Sequence, residues 1–298
     1  MLVSSVEEGS LSAAARKLRI PVATLTRNVN DLEALVGTKL LVRTTRKLLL
    51  TEAGTDYVAA ARRILEQVDE QERHAAGEFT NPRGELVVTT PVQVARLRVL
   101  PVINQFLTLF PEIRIQLLQS DRNIDLVDSQ ADIAIRIGRL KDSSLVATRV
   151  GMLRVVVVAS PNLLKQHGVP RSPEDLHDYP RVVFDSPYLS PWRFRHPDAN
   201  ETCTITETPR LLVSSPDAAT DAAIDGVGAT LLLEHDVAES VGTGKLQFIL
   251  EEFEVDPIPV HLVYLSRDMM PMKLRRFIDF AVPKLREALA DFGRIPAR

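Results

Sequence analysis

Residues Ser10 to Leu50 constrain this chain most, because they read as two short helices joined by a tight turn and followed by a basic hairpin. Ser10 or Ser12 can cap a helix over SLSAAARKL, with Ala13, Ala14 and Leu18 on one small apolar face. Arg19, Ile20 and Pro21 make the turn. The spacing then predicts a helix from about Val22 to Val36, because Leu25, Val29, Leu32 and Val36 recur at steps of four, three and four and form one buried stripe. The other face carries Thr24, Thr26, Arg27, Asn28, Asn30 and Asp31. Hydroxyls, amides and a guanidinium there suit base edges and phosphates in a major groove. Taken alone, the same face also fits an ordinary solvated helix.

The residues that follow favour nucleic acid. After Gly37, the apolar runs Leu40 to Val42 and Leu48 to Leu50 flank Arg43, Thr44, Thr45, Arg46 and Lys47, the pattern of a hairpin with a basic tip. Such a wing reaches phosphate or the minor groove. From Arg16 to Lys47 there are eight Lys or Arg against two acids, Asp31 and Glu33, a local charge of +6 in a chain whose net charge is −3. A basic patch in an acidic chain is an electrostatic footprint for a polyanion.

The run EEGSLSAAARKL, with TLTRNVNDLEALVGTKLLVRTTRKLLLTEAG after it, resembles the DNA-binding domain of the LysR-type transcriptional regulators. Ser10, Ala14, Ala15, Leu18, Arg27, Leu32, Glu33, Gly37, Leu40, Arg43, Thr44, Leu50, Thr51, Ala53 and Gly54 match that pattern in order. The resemblance implies a winged helix-turn-helix in which Thr24, Thr26, Arg27 and Asn28 lie at the DNA, with Arg43, Arg46 and Lys47 on the wing. Two positions depart from the family. Pro21 and Ala23 stand where it has a Ser and then a Pro, which removes a hydroxyl cap, although Pro fits a first helical turn. Leu2 to Glu8 stand where the family's first helix begins roughly two turns earlier, and so short a helix depends on tertiary packing.

Beyond the wing, Thr51 can cap a long helix from about Glu52 to Glu78. Tyr57, Ala61, Ile64, Val68, Gln71 and Ala75 form a short heptad seam, which fits either a dimer interface or packing on the same chain. It resembles the linker helix on which family members dimerise. Asn81, Pro82, Arg83 and Gly84 then break it. The remainder alternates strands and helices, as in an α/β fold: strand Leu86 to Thr90, helix about Leu97 to Leu109, and strands Ile113 to Leu118, Ile133 to Ile137, Leu145 to Val150 and Val155 to Ala159. Later come strand Val260 to Leu265 and helix Met272 to Leu289.

LPVINQFLTLFPEIRI, DLVDSQADIAIRIG and SSLVATRVGMLRVVVVASPNLL resemble the family's effector domain, which implies the two-lobed fold of periplasmic solute-binding proteins, type 2. The resemblance covers nearly the whole chain. It implies a DNA-binding domain over 1–51, a dimerising linker over 52–80 and an effector domain over 84–298. Lobe I of that domain is then about 84–153 with 257–298, and lobe II about 154–256. Ligand would enter the crevice outside the strand ends. The candidate contacts are Thr89, Thr90 and Val92, then Arg136 and Gly138, then Ser214, Ser215 and Asp217 in VSSPDA. Hydroxyls ahead of a helix N-terminus can hold an anion, and Arg136 can add a charge-assisted bond. The same residues can equally be caps and strand ends, and Trp192 reads as core rather than ligand contact.

At 298 residues, 45% hydrophobic and 25% charged, the chain can bury cores for two or three domains. The single cysteine, Cys203, excludes an internal disulfide framework and fits a reducing cytoplasm. No run is long and apolar enough to span a bilayer, so a soluble cytoplasmic protein is expected. Its six histidines lack metal-ligand spacing, and no phosphate loop or nucleophile elbow occurs. The reading is a regulator without metal, cofactor or catalysis, whose partners are double-stranded DNA with an interrupted palindrome, a small-molecule effector such as an organic acid, and its own copies as dimer and tetramer. The alternative is a cytoplasmic small-molecule-binding protein whose short first helix impairs its grip on DNA.

Overall fold

The computed structural model describes residues 1–43, 48–75, 81–122, 126, 131–140, 145–196, 202–206, 208–265 and 270–290. It divides into two compact units, Met1–Thr80 and Asn81–Arg298.

The first unit holds α1 (Leu2–Glu7), α2 (Leu11–Leu18), α3 (Val22–Val36), a hairpin of β1 (Leu41–Arg43) and β2 (Leu48–Leu50), and α4 (Glu52–Ala75). Ser10 caps α2 by accepting from Ala13 N at 3.4 Å. Arg19 then takes the left-handed conformation that ends the helix, with φ 55°. The buried face of α2 is Ala14 and Ala15, not the expected Ala13, Ala14 and Leu18, and Leu18 is 37% exposed. Small residues let α1 and α3 approach closely, a role that Leu18 would block. In α3, Leu25 and Val29 are buried and Leu32 is partly so, while Val36 lies exposed at the helix end. Short as it is, α1 packs Leu2 and Val3 into this core, and the Ser5 hydroxyl donates to Met1 O at 3.0 Å.

The start of α4 is keyed to the hairpin. Thr51 Oγ1 accepts from Gly54 N at 2.9 Å and donates to Lys39 O at 2.7 Å. A Cβ on Gly54 would fall 1.9 Å from Leu40 O, so only glycine permits this approach.

The second unit contains two five-stranded sheets. In chain order come β3 (Gly84–Thr90), α5 (Val92–Val94), a π turn (Ala95–Val99), α6 (Leu100–Leu109), β4 (Ile113–Gln119), β5 (Ile133–Ile137), β6 (Leu145–Leu153) and β7 (Val155–Ala159). The helix after β3 therefore starts at Val92 rather than near Leu97. Its π turn interrupts the ordinary 3.6-residue period, so the apolar pattern does not show the true start. Next are α7 (Pro161–His167), β8 (Arg181–Phe184), β9 (Trp192–Arg195), β10 (Thr202–Ile205), β11 (Leu211–Val213) and α8 (Pro216–Ile224). The chain ends with β12 (Ala229–Leu233), α9 (Glu234–Gly242), β13 (Gln247–Ile249), β14 (Ile258–Leu265) and α10 (Met272–Leu289).

One sheet runs β4-β3-β5-β14-β6 and the other β11-β8-β12-β7-β13. Strand β3 pairs parallel with both β4 and β5, and its pairing with β4 needs the helical crossover through α5 and α6. Strand β14 returns from the far end of the chain to lie antiparallel between β5 and β6. Each sheet with its helices makes one lobe. Phe106 of α6 meets Phe277 of α10 edge-on at 5.0 Å beneath the first sheet, while Val155 to Ala159 and Ala229 to Leu233 are buried throughout in the second. Trp192 is core, as its sequence context suggests.

Candidate DNA-binding surface and effector cleft

The α3 face follows from helical spacing: Thr24, Arg27, Asn28 and Asp31 fall three and four apart on one side. Arg27 is exposed, whereas Thr24, Thr26 and Asn28 are half-buried. Asn28 Nδ2 donates to Met1 Sδ at 3.1 Å, so α1 already engages this amide. Pro21 occupies the position just before the helix, with ψ 140° and no side-chain cap. It stands one place earlier than a first-turn proline and passes its carbonyl to Leu25 N at 3.1 Å. Arg43 closes β1 opposite Leu48. Arg46 and Lys47 lie outside the described residues.

A residue that the family pattern includes, without the sequence showing its role, orients this surface. Glu33, 5% exposed, accepts from Leu40 N and Leu41 N at 3.0 Å each and from Lys39 Nζ at 2.6 Å. It ties the end of α3 to the first strand of the wing. Burial alone raises its carboxyl pKa, but the Lys39 bond and the Leu41 and Leu40 N–H groups outweigh burial and leave it lowered. Its place one turn after Val29 was the available signal, an acid in line with a buried stripe.

In the second unit, Thr89, Thr90, Asp121, Arg122 and Arg136 from one lobe and Tyr188 from the other line a narrow, partly open cleft. Three of the expected residues thus meet here: Thr89 and Thr90 end β3, and Arg136 lies in β5. Thr90 Oγ1 donates to Pro91 O at 3.4 Å. Val92 N opens α5 by donating to Asp121 Oδ1 at 3.1 Å. Gly138, with φ 100°, is not among the lining residues, although a Cβ there would lie 3.9 Å from Tyr188 Cβ. Ser214 and Ser215 are not among the lining residues. The Ser215 oxygen accepts from Ala218 N at 3.2 Å as the cap of α8. Asp217, in the first turn of that helix, accepts from the buried Gln93 amide of α5 and so bridges the lobes. Gln93 in turn accepts from Arg96 Nε at 2.9 Å. Nothing in the local pattern singled out Gln93, because its partner is remote in sequence.

Carboxylates crowd this bridge. Burial raises the Asp121 carboxyl, and Asp217 adds to the shift against the Val92 N–H. Burial, then Asp121 and Asp236, push the Tyr188 phenol far up. Asp236 of α9 is pushed up to about 8 by burial, with Asp121 and Asp217 adding and Leu233 N–H and Arg96 opposing. Its neighbour His235 is held down to about 3 by burial and by Arg98. His235 Nε2 lies 3.2 Å from Asp236 Oδ1, and burial opposes charge on both. With Arg122 and Arg136 on the wall, the cleft offers both signs of charge to a small polar ligand. Among the described residues no group of three His, Cys, Asp or Glu could hold a metal ion.

A helix-turn-helix carrying a wing, followed by a two-lobed α/β domain with a cleft, defines the class of DNA-binding regulators that carry a ligand-binding-type domain. Residues 1–55 match the model of the bacterial regulatory helix-turn-helix protein, lysR family, and residues 80–286 match the LysR substrate binding domain. Similar proteins include an HTH-type transcriptional regulator of Xanthomonas campestris pv. campestris, 32% identical over 100% of this chain and 88% of that one. The HTH-type transcriptional regulator CrgA of Neisseria meningitidis is 33% identical over 96% and 95%. The solved structure of CrgA aligns with a TM-score of 0.61 at 34% identity over 95% of this chain and 96% of that one. The full-length Vibrio cholerae virulence activator AphB aligns at 0.63 with 30% identity over 95% and 97%. The chain belongs to the LysR family of DNA-binding transcriptional regulators.

Proposed function

We propose that this regulator binds an interrupted palindromic operator as a dimer of dimers, and that a small molecule in the interlobe cleft switches its mode of binding. In this reading residues 1–51 contact DNA, 52–80 pair the subunits, and 84–298 bind effector in two lobes, about 84–153 with 257–298 and about 154–256. Thr24, Thr26, Arg27 and Asn28 meet the major groove, and Arg43, Arg46 and Lys47 meet the backbone. The effector contacts are Thr89, Thr90, Val92, Arg136 and Gly138 on one lobe, with Ser214, Ser215 and Asp217 around α8. A small organic acid would place its carboxylate on Arg136 and the threonine hydroxyls, away from Asp121. The protein acts in the cytoplasm, without catalysis.

One observation carries the switching reading: the cavity is walled by both lobes, so a ligand there contacts two bodies and favours one lobe angle over another. Only such differential binding can move a conformational equilibrium. The test is an anisotropy titration of the full chain against its own upstream DNA at two salt concentrations, with and without candidate acids. Salt-sensitive, competitor-resistant binding that an acid alters is the expected result. Weak, sequence-indifferent binding overturns it and returns the chain to small-molecule binding alone.

A further inference from the structure

The chain passes between the lobes at two places, and one side chain fastens them together. Arg154 is the single residue between β6 of one lobe and β7 of the other, and its side chain is 3% exposed. The return passage runs from β13 to β14 and carries Glu251 and Glu254. Arg154 Nε donates to Glu254 Oε2 at 2.8 Å and Nη2 to Glu254 Oε1 at 2.8 Å, a bidentate fork across the two passages. Nη2 also reaches Glu251 Oε2 at 2.8 Å, and Nη1 reaches Glu234 Oε1 at 3.3 Å. The Arg154 carbonyl accepts from Glu234 N at 2.9 Å, and Phe248 covers the guanidinium at 5.0 Å.

Stability alone does not account for this choice of residues, since a well-packed apolar cluster generally matches or exceeds a buried ion pair. What the fork adds is directional constraint. Three carboxylates surround one cation, and they differ: Glu254 is enclosed, Glu234 partly covered and Glu251 about half exposed. A guanidinium held this way can pass a donor from one carboxylate to another while keeping its charge paired. That is the requirement for an element with two arrangements. Glu234 also opens α9, whose third residue is Asp236, so the cluster shares a helix end with the carboxylates of the cleft.

We propose that Arg154 is the pivot of the interlobe hinge, holding the two passages as one axle and setting the resting lobe angle through its choice among Glu254, Glu251 and Glu234. The pivot rests only on the hinge geometry; its effect on DNA rests on the regulatory reading above.

The experiment measures lobe separation directly. Spin labels placed by Asn104→Cys in α6 and Gln166→Cys in α7, both exposed, on a Cys203→Ser background of the full chain report the interlobe distance. Glu254→Gln, which removes the charged fork, and Arg154→Lys, which keeps the charge without the fork, should each broaden and shift the distance distribution. Arg195→Ala breaks an exposed 2.9 Å pair with Asp256 beside the same return passage and should leave it unchanged. Distributions that superimpose on the parent in both hinge variants overturn the pivot. Should those variants fail to fold, Glu251→Gln decides, because that partner is half exposed: a shift supports the pivot and its absence overturns it. The readout needs no DNA, so failure of the parent chain to bind an operator counts against the regulatory reading alone.

Discussion

Single residues set the DNA-contacting surface in two different ways. Arg27 is an exposed cation on α3, and in the proposed reading it contacts DNA directly. Arg27→Ala should weaken operator binding by roughly 1–3 kcal/mol and relax base preference if the guanidinium reads a base edge. Arg46→Ala, at a position the sequence resemblance assigns to the basic tip, should instead lower affinity across all sequences and reduce the salt slope by about 1. Anisotropy titrations at several salt concentrations separate the two, and unchanged affinity in both variants would remove these residues from the interface. Glu33 acts through geometry. Glu33→Ala orphans two buried backbone donors, Leu40 N and Leu41 N, at a cost of roughly 1–3 kcal/mol each. Its lowered carboxyl pKa means that the unfolded chain binds the proton more readily. The stabilisation is present above the ordinary carboxylate value and is lost as pH falls through the folded one. Amide exchange at residues 40 and 41 checks this: faster exchange in Glu33→Ala, and in the parent chain as pH drops below the carboxylate range once intrinsic rates are divided out, is expected.

At the scale of elements, α4 and the end of β3 carry separate predictions. Ile64, Leu65 and Val68 of α4 stay exposed within this unit, a stripe at heptad-like spacing. Val68→Glu should dissociate the proposed dimer in sedimentation velocity and, with it, lower operator affinity. A dimer that persists would place the interface elsewhere. Thr89→Val with Thr90→Val removes two hydroxyls from the cavity wall while keeping side-chain shape. Effector response should vanish with DNA binding intact, and a double variant that still responds would move the ligand. Elements of this kind were legible in the sequence where periodicity and breakers agreed. The expected bounds of α3, β5, β7 and α10 coincide with the structure because each is a clean apolar pattern with a turn or proline at its ends. The helix start at Val92 was not legible, since a π turn defeats the period. Nor were Gln93, Glu33 and the Arg154 fork, because a polar residue's burial depends on partners that other parts of the chain supply. The cleft was readable as a location through Thr89, Thr90 and Arg136. Asp217 was readable with them as a helix-start residue, whereas Asp121, Asp236 and Tyr188 came only with the third dimension.

Across the whole molecule, charge is distributed unevenly, and the second unit stores some of it as a proton. Asp236 lies among His235, Asp121, Asp217, Arg96 and Tyr188, groups from both lobes that act on it or feel its charge. Its carboxyl is pushed up to about 8 from an ordinary 3.8, so the folded unit holds a proton that the unfolded chain has already released. Stability from this group is complete below the ordinary value and is lost as pH rises through about 8. The single tryptophan, Trp192, is buried in this unit and reports its unfolding separately from the DNA-binding unit. The denaturation midpoint followed by Trp192 fluorescence should therefore fall from about pH 6 to about pH 8 in the parent chain and level off above that. Asp236→Asn keeps the shape and fixes the neutral state, so its midpoint should hold nearly level over that range. His235, held down to about 3, stays neutral throughout the window and does not contribute to the slope. An equal decline in both proteins would assign the pH dependence to other groups and free Asp236 from this role. A flattened profile would show that burying Asp236 near Asp121 and Asp217 costs the fold an ionisation.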